Sequence, residues 1–282
     1  MAKHAAASSA GPAHGRPGYR PLPRPPRSSC LDGDDGTSRQ HPTPDLAGLC
    51  PAHLTWISHM HIQSVTLAPT DILARKVVTR SKSFCTGKWP SWKTGRMTQW
   101  ESLNERNAFV LLDCDTRVRT YKEQPAVIQY EVAGRSFRHF PDVWVQYESH
   151  QEFLEIKPAK QAQDPEVQVR TALMEEELPR FGYRYRLLLA EDLALQPRLK
   201  TCSYLARYGR QPIHAHAREW ARRMFAQEGH LCWNDIQGGA LGARGVALAC
   251  RLVLEGSVTL DLDKELGAST VLHWSADSKG SR

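Results

Sequence analysis

The chain has 282 residues, 41% of them hydrophobic and 24% charged, which is the composition of a soluble protein with room for one sizeable domain and a small companion. No apolar run approaches the roughly 18 residues that cross a bilayer, which excludes a membrane protein. The net charge of +7 is unevenly placed: residues 1–59 carry +2, 60–100 carry +6, 101–212 carry −1 and 213–282 carry none.

Residues 1–59 lack hydrophobic periodicity and include PGYRPLPRPPR and GDDG, a composition that predicts disorder because it cannot bury enough apolar surface to offset ordering entropy. They contain no continuous apolar stretch of the kind a secretory signal needs, so a cytoplasmic protein is expected. Ordered-looking sequence begins at Met60, which could serve as an alternative start. The seven cysteines, Cys30, Cys50, Cys85, Cys114, Cys202, Cys232 and Cys250, are scattered and form no C-x-x-C pair, which reads as free thiols.

Residues 60–97 form a basic arm. Its 70–97 segment mixes seven Lys or Arg residues with Trp89 and Trp92. Cations there can pair with phosphates while aromatic faces stack on bases or sugars, which makes Lys82, Lys88, Lys93 and Arg96 candidate DNA contacts. The alternative is a solvated loop whose two tryptophans dock on the body of the protein. From Thr98 to about Asp113 the pattern predicts a helix, capped by Thr98 with Glu101 completing a capping box, and Glu105 lies near the border of its apolar face.

Four strand-like runs follow, AVIQYEV, RSFRHF, DVWVQY and EFLEIKP, and read as a β-meander. A helix over 164–181, a buried strand in RYRLLLAEDL and a helix over 196–208 complete an α/β core with a mixed sheet, assigned to residues 98–212. Residues 213–275 read as a separate small domain, two helical stretches followed by a hairpin, resembling a winged helix; 276–282 is a tail.

The chemistry gathers around Pro141-Asp142 and Glu155-Ile156-Lys157. Side chains alternate along a strand, so Glu155 and Lys157 share a face, and a hairpin of twelve intervening residues can bring Asp142 opposite them. Two acids beside an amine suit a hard divalent cation, Mg²⁺ with Mn²⁺ as a substitute, which polarises a phosphodiester and activates water; two ions can divide those tasks. Lys157 would position or deprotonate the water. The plainer alternative is a common turn pair next to a solvated ion pair. Glu105 supplies a third acid, and the basic arm a route for a polyanion. His59-x-His61 and His214-x-His216 lack further ligands at useful spacing, no phosphate loop follows Gly238-Gly239, and no nucleophile elbow is present.

From about Arg75 to Tyr208, through RKVVTRSKSF, KWPSWKTGRMTQWESLNERNAFVLLD, YKEQPAVI, HFPDVWV, LEIKPA and QPRLKTCSYLARY, the chain resembles the TnsA endonuclease subunit of Tn7-like transposons. The resemblance implies a restriction-endonuclease-like fold, acidic site positions at Glu105, Asp142 and Glu155, and Lys157 as the basic member. Some members carry Gln at the position of Glu155. It also implies Mg²⁺-dependent cleavage of double-stranded DNA at the 5′ transposon ends, on the strand not transferred. The implied partners are a TnsB-like DDE transposase that cuts the 3′ ends and a TnsC-like AAA+ regulator, all at the bacterial nucleoid, and a C-terminal winged-helix-like domain is implied as well. Two readings compete with this one: a stand-alone restriction, repair or junction-resolving nuclease of the same fold, and a non-catalytic DNA-binding assembly factor.

Overall fold

The computed structural model describes residues 60–69, 72–74 and 85–275. The expected disorder of residues 1–59, the 276–282 tail and the whole 75–84 stretch, Lys82 included, lie outside the described residues.

The centre is a four-stranded mixed sheet. β4 (Val118–Glu123), β7 (Val143–Tyr147) and β8 (Gln151–Lys157) pair antiparallel, and β9 (Tyr183–Leu189) joins β8 in parallel, giving the order β4-β7-β8-β9. A parallel neighbour needs a crossover, and α3 (Pro165–Glu177) provides it, capped by the Asp164 side chain on Glu166 N–H, with Pro165 in its first turn. A 3₁₀ turn over Leu178–Phe181 and Gly182, in the left-handed conformation at φ 83°, lead the chain back into β9.

A second antiparallel sheet, in the order β1-β5-β6, is built from β1 (Met60–Leu67), β5 (Ala126–Val132) and β6 (Arg135–His139). The expected meander is therefore divided. AVIQYEV and RSFRH belong to this sheet, while DVWVQY and EFLEIKP belong to the central one. The chain changes sheets across Phe140-Pro141-Asp142, where Pro141 has no N–H to extend a ladder. The face between the two sheets is filled by Ile62, Ile128, Tyr130, Phe153, Leu173, Met174 and Tyr185.

The opposite face of the central sheet carries α1 (Leu103–Cys114) and α5 (Arg198–Tyr208). The expected start of α1 is corrected. Residues 97–100 form β3 (Met97–Trp100), paired with β2 (Gly87–Pro90), and the helix begins after Ser102, whose Oγ accepts from Glu105 N–H at 3.2 Å. Ser102-x-x-Glu105 carries the same capping signature as Thr98-x-x-Glu101, four residues later. Hairpin pairing with Gly87–Pro90 takes the earlier copy out of the helix.

Beyond α5 the chain forms α6 (Ala215–Glu228), β10 (Leu231–Cys232), α7 (Trp233–Gln237), α8 (Gly245–Leu254), β11 (Val258–Thr259) and β12 (Val271–Trp274), with the strands in the order β10-β12-β11. One continuous apolar cluster runs from Phe109, Val143 and Leu154 through Leu205 to Phe225, Ile236, Leu252 and Leu272. Residues 213–275 therefore share a core with the preceding α1 and α5. α8 is the joint: a Cβ on Gly209, at the end of α5, would stand 2.7 Å from the backbone of Cys250 and Arg251. Together these sheets and flanking helices form a mixed α/β architecture consistent with a restriction-endonuclease-like fold. Among the described residues, no helix is long and apolar enough to cross a membrane.

Candidate active site

The β7–β8 ladder pairs Val143 with Leu154, so the next rung places Asp142 opposite Glu155. Asp142 extends the ladder by unequal means: its N–H donates to Leu154 O at 3.1 Å, while its Oδ2 accepts Ile156 N–H at 2.7 Å. That bond fixes the carboxyl at the end of the sheet. Because Leu154 and Ile156 face the α1 side, Phe153, Glu155 and Lys157 face the other way, toward α3 and the second sheet. Lys157 Nζ sits 2.8 Å from Glu155 Oε1. The structure thus brings Asp142, Glu155 and Lys157 to one place.

Two residues that sequence reasoning did not single out complete the surroundings of Glu155. Arg170, from α3, places Nη2 3.7 Å from Oε1, and His139, the last residue of β6, places Nε2 3.6 Å from Oε2. The His139 ring nitrogen is also 3.0 Å from the Tyr185 hydroxyl of β9. Both residues arrive from separate elements about fifteen positions away, and no local spacing signals either.

Glu155 is 3% exposed, and burial works against its charge. His139, Lys157 and Arg170 oppose burial and hold the carboxyl below the usual range. His139 is itself pushed down to about 4 by burial, so near neutral pH it is uncharged, and Lys157 and Arg170 are the cations that keep Glu155 ionised. Lys157 is raised by Glu155 and Asp142 in spite of burial. Asp142 moves the other way: burial, then the charges of Glu155 and Glu105, lift its carboxyl well above the ordinary value.

Glu105 stands at the first turn of α1 and is felt by Asp142, yet its own carboxylate is engaged locally, accepting from Glu101 N–H at 2.9 Å and from Ser102 Oγ at 3.1 Å. Among the described residues, no three His, Cys, Asp or Glu side chains are gathered closely enough to form a ready-made metal cage. The fit of a divalent cation rests on two other features. Glu155 Oε2 is buried with no hydrogen-bond partner, and Asp142 is repelled by the acid opposite it; a hard cation between them relieves both.

The basic arm divides. Lys88 is exposed on β2. Lys93 and Arg96, expected at DNA, are instead bound within the protein: Lys93 Nζ donates to Asp115 O, and Arg96 grips Glu123 through two bonds of 2.7 and 2.5 Å. The tryptophans dock on the body of the protein. Trp89 Nε1 donates to Asp113 Oδ2 at 2.8 Å, Trp92 Nε1 to Asp113 O at 2.9 Å, and the Arg251 guanidinium lies 4.3 Å over the Trp92 ring. An indole N–H that finds a buried acceptor ties its ring to that acceptor, which is why these aromatics form a strut.

Residues 115–189 match the family model described as the TnsA-like endonuclease N terminal, a span that holds the central sheet from β4 to β9 and with it Asp142, Glu155, Lys157, His139 and Arg170. No curated protein matches the chain.

Proposed function

We propose that this chain, which carries a TnsA-like endonuclease N-terminal domain over residues 115–189, is the metal-dependent DNA-cleaving subunit of a Tn7-like transposase, cutting the strand not transferred at the 5′ ends of the element. The observation that carries the reading is the rung on which Asp142 faces Glu155, with Lys157 Nζ 2.8 Å from the latter.

Asp142 and Glu155 are the side chains that would hold Mg²⁺ or Mn²⁺, one ion or two, with Glu105 as the third acid at the border of the site. A bound divalent ion supplies polarisation of the phosphodiester and a water of lowered pKa. The remaining work falls to the chain. The Ile156 N–H orients Asp142, and Lys157, 24% exposed at the edge of the cluster, orients a water or takes its proton and offsets charge at phosphorus. Hydrolysis of the phosphodiester at this site would add water to phosphorus, break the P–O3′ bond and leave a 5′ phosphate and a 3′ hydroxyl.

The partners in this reading are transposon-end DNA, a TnsB-like transposase and a TnsC-like regulator, at the nucleoid. Residues 213–275 are read as a winged-helix-like unit, supported by the order helix, strand, helix, helix, hairpin. Its third helix, α8, is buried, and the connection between β11 and β12 is tied to α5 by Arg198 to Asp263 and Lys200 to Glu265. α6, with Trp220 about half exposed, is left outward.

A nicking assay on transposon-end DNA with Mg²⁺, with and without the neighbouring transposase, tests the reading. Asp142→Ala is expected to abolish cleavage while leaving DNA binding near the parent. Equal cleavage by variant and parent overturns the assignment, and efficient cleavage of unrelated DNA without the transposase favours a stand-alone nuclease.

A further inference from the structure

The two oxygens of Glu155 have different fates. Oε1 accepts Lys157 Nζ at 2.8 Å and faces Arg170 Nη2 at 3.7 Å, whereas Oε2 has no hydrogen-bond partner, with His139 Nε2 3.6 Å away. One oxygen is held by cations, and the other is buried with its hydrogen-bonding capacity unused.

The two cations on Oε1 are not equivalent. Lys157 is 24% exposed, is a point charge on a flexible stem, and is the group placed to serve water and phosphate. A lysine engaged with a substrate cannot also fix the carboxylate behind it. Arg170 is 15% exposed, carries a permanent charge on a planar fork, and is set in α3 among Tyr130, Tyr185 and Glu166. Its Nε is buried without a hydrogen-bond partner, so the fork has donor capacity in reserve.

We propose that Arg170 is a positioning residue for the metal ligand Glu155: it retains Oε1 when Lys157 turns to the reaction, and so keeps Oε2 aimed at the ion. The proposal rests on the nuclease reading. Ligating carboxylates are themselves held by outer partners, and removing such a partner lowers metal affinity or activity by about 10- to 100-fold. In this role Arg170 acts through Glu155, whose Oε1 it faces, and not on DNA or the ion directly.

The test is calorimetric titration of the full chain with Ca²⁺ alone, comparing parent, Glu155→Gln, Arg170→Gln and Arg170→Lys, with thermal melting of each. Cleavage is measured separately in Mg²⁺ and resolved into kcat and KM for DNA. Arg170→Gln is expected to weaken Ca²⁺ binding about tenfold and lower kcat with KM for DNA unchanged, and Arg170→Lys to recover a large part of both. Should Arg170→Gln fail to fold, Arg170→Met, which keeps the apolar stem, takes its place. Ca²⁺ binding by the charge-removed variant that equals or exceeds the parent's overturns the positioning role, since Arg170 would then be only a competing cation. A parent that binds no Ca²⁺, Mn²⁺ or Mg²⁺ overturns the metal reading itself and the proposal with it.

Discussion

The β2–β3 hairpin with its anchor on α1 and the cluster around Glu155 are both assemblies of acids beside cations, and they differ in how completely those groups are paired. Asp113 receives Trp89 Nε1, Ser91 Oγ and Tyr121 OH at 2.8, 2.7 and 3.2 Å, and Glu123 receives both arms of Arg96 and the Gln99 N–H. Around Glu155, by contrast, one carboxylate oxygen and one guanidinium nitrogen are buried and bare, and Asp142 faces a like charge. A network whose acids are fully paired fixes one conformation and stabilises it, even though the Thr98 hydroxyl of β3 is itself buried without a partner. A network left incomplete in a buried place holds free energy that a cation and a substrate can recover, which is the usual compromise between stability and activity at a site.

The sharpest way to break that contrast is to remove one acid from each region. Asp113→Ala strands two buried donors and the part-buried Trp89 indole, at about 1–3 kcal/mol for each fully buried group, and is expected to lower stability by about 3 kcal/mol or more. Asp142→Asn removes the repulsion across the rung and is expected to leave stability within about 1 kcal/mol of the parent or above it. Denaturant unfolding of both variants checks the pair. If Asp142→Asn destabilises as much as Asp113→Ala, the acid opposite Glu155 is a structural member and the contrast is lost.

Strand alternation and the twelve-residue interval were enough to place Asp142, Glu155 and Lys157 together, because β-structure converts sequence parity directly into facing. His139 and Arg170 were not readable in the same way: one arrives from a different sheet and the other from the crossover helix, so only the tertiary arrangement brings them to Glu155. The β2–β3 segment shows a second limit. Lys93, Arg96, Trp89 and Trp92 have the composition of a nucleic-acid arm, but whether a cation faces solvent or a carboxylate is decided by distant partners, here Asp113, Asp115 and Glu123. The split of the expected meander and the false start of α1 share that cause. Pairing of β1 with β5, and of β2 with β3, is non-local or competes with an equally good local signal.

Lys93 gives a smaller, pH-dependent way to sharpen the comparison. Burial lowers it to about 8 against an ordinary value of 10.5, with Asp115 and Asp113 opposing the shift. Below pH 8 it is charged in both folded and unfolded chains, and burial of that charge weighs against folding in full. Between pH 8 and 10.5 the unfolded chain binds more protons, so this group makes stability rise with pH. The expected rise, discounted for partial solvent access, is about 1 kcal/mol. It is read as the difference between parent and Lys93→Met in urea unfolding at pH 7.5, 9 and 10.5. A parent-minus-variant difference that falls across this range would mean that Lys93 is held by an ion pair that outweighs burial.

The smallest expected effect separates the exposed cation of the hairpin from the enclosed one. Lys88 projects from β2 into solvent, whereas Lys93 is directed inward to Asp115 O. If the hairpin lies along DNA, Lys88→Ala is expected to weaken binding about threefold at moderate salt, and the slope of log K against log salt to fall by roughly 1, the signature of one lost phosphate contact. Lys93→Met is expected to leave that slope unchanged, because a cation bonded to a main-chain carbonyl releases no counterion from DNA. Fluorescence anisotropy with a labelled transposon-end duplex between roughly 50 and 200 mM salt measures both slopes. Equal loss of slope in the two variants would show that Lys93 leaves Asp115 to reach a phosphate, so that the hairpin is a DNA contact rather than a strut.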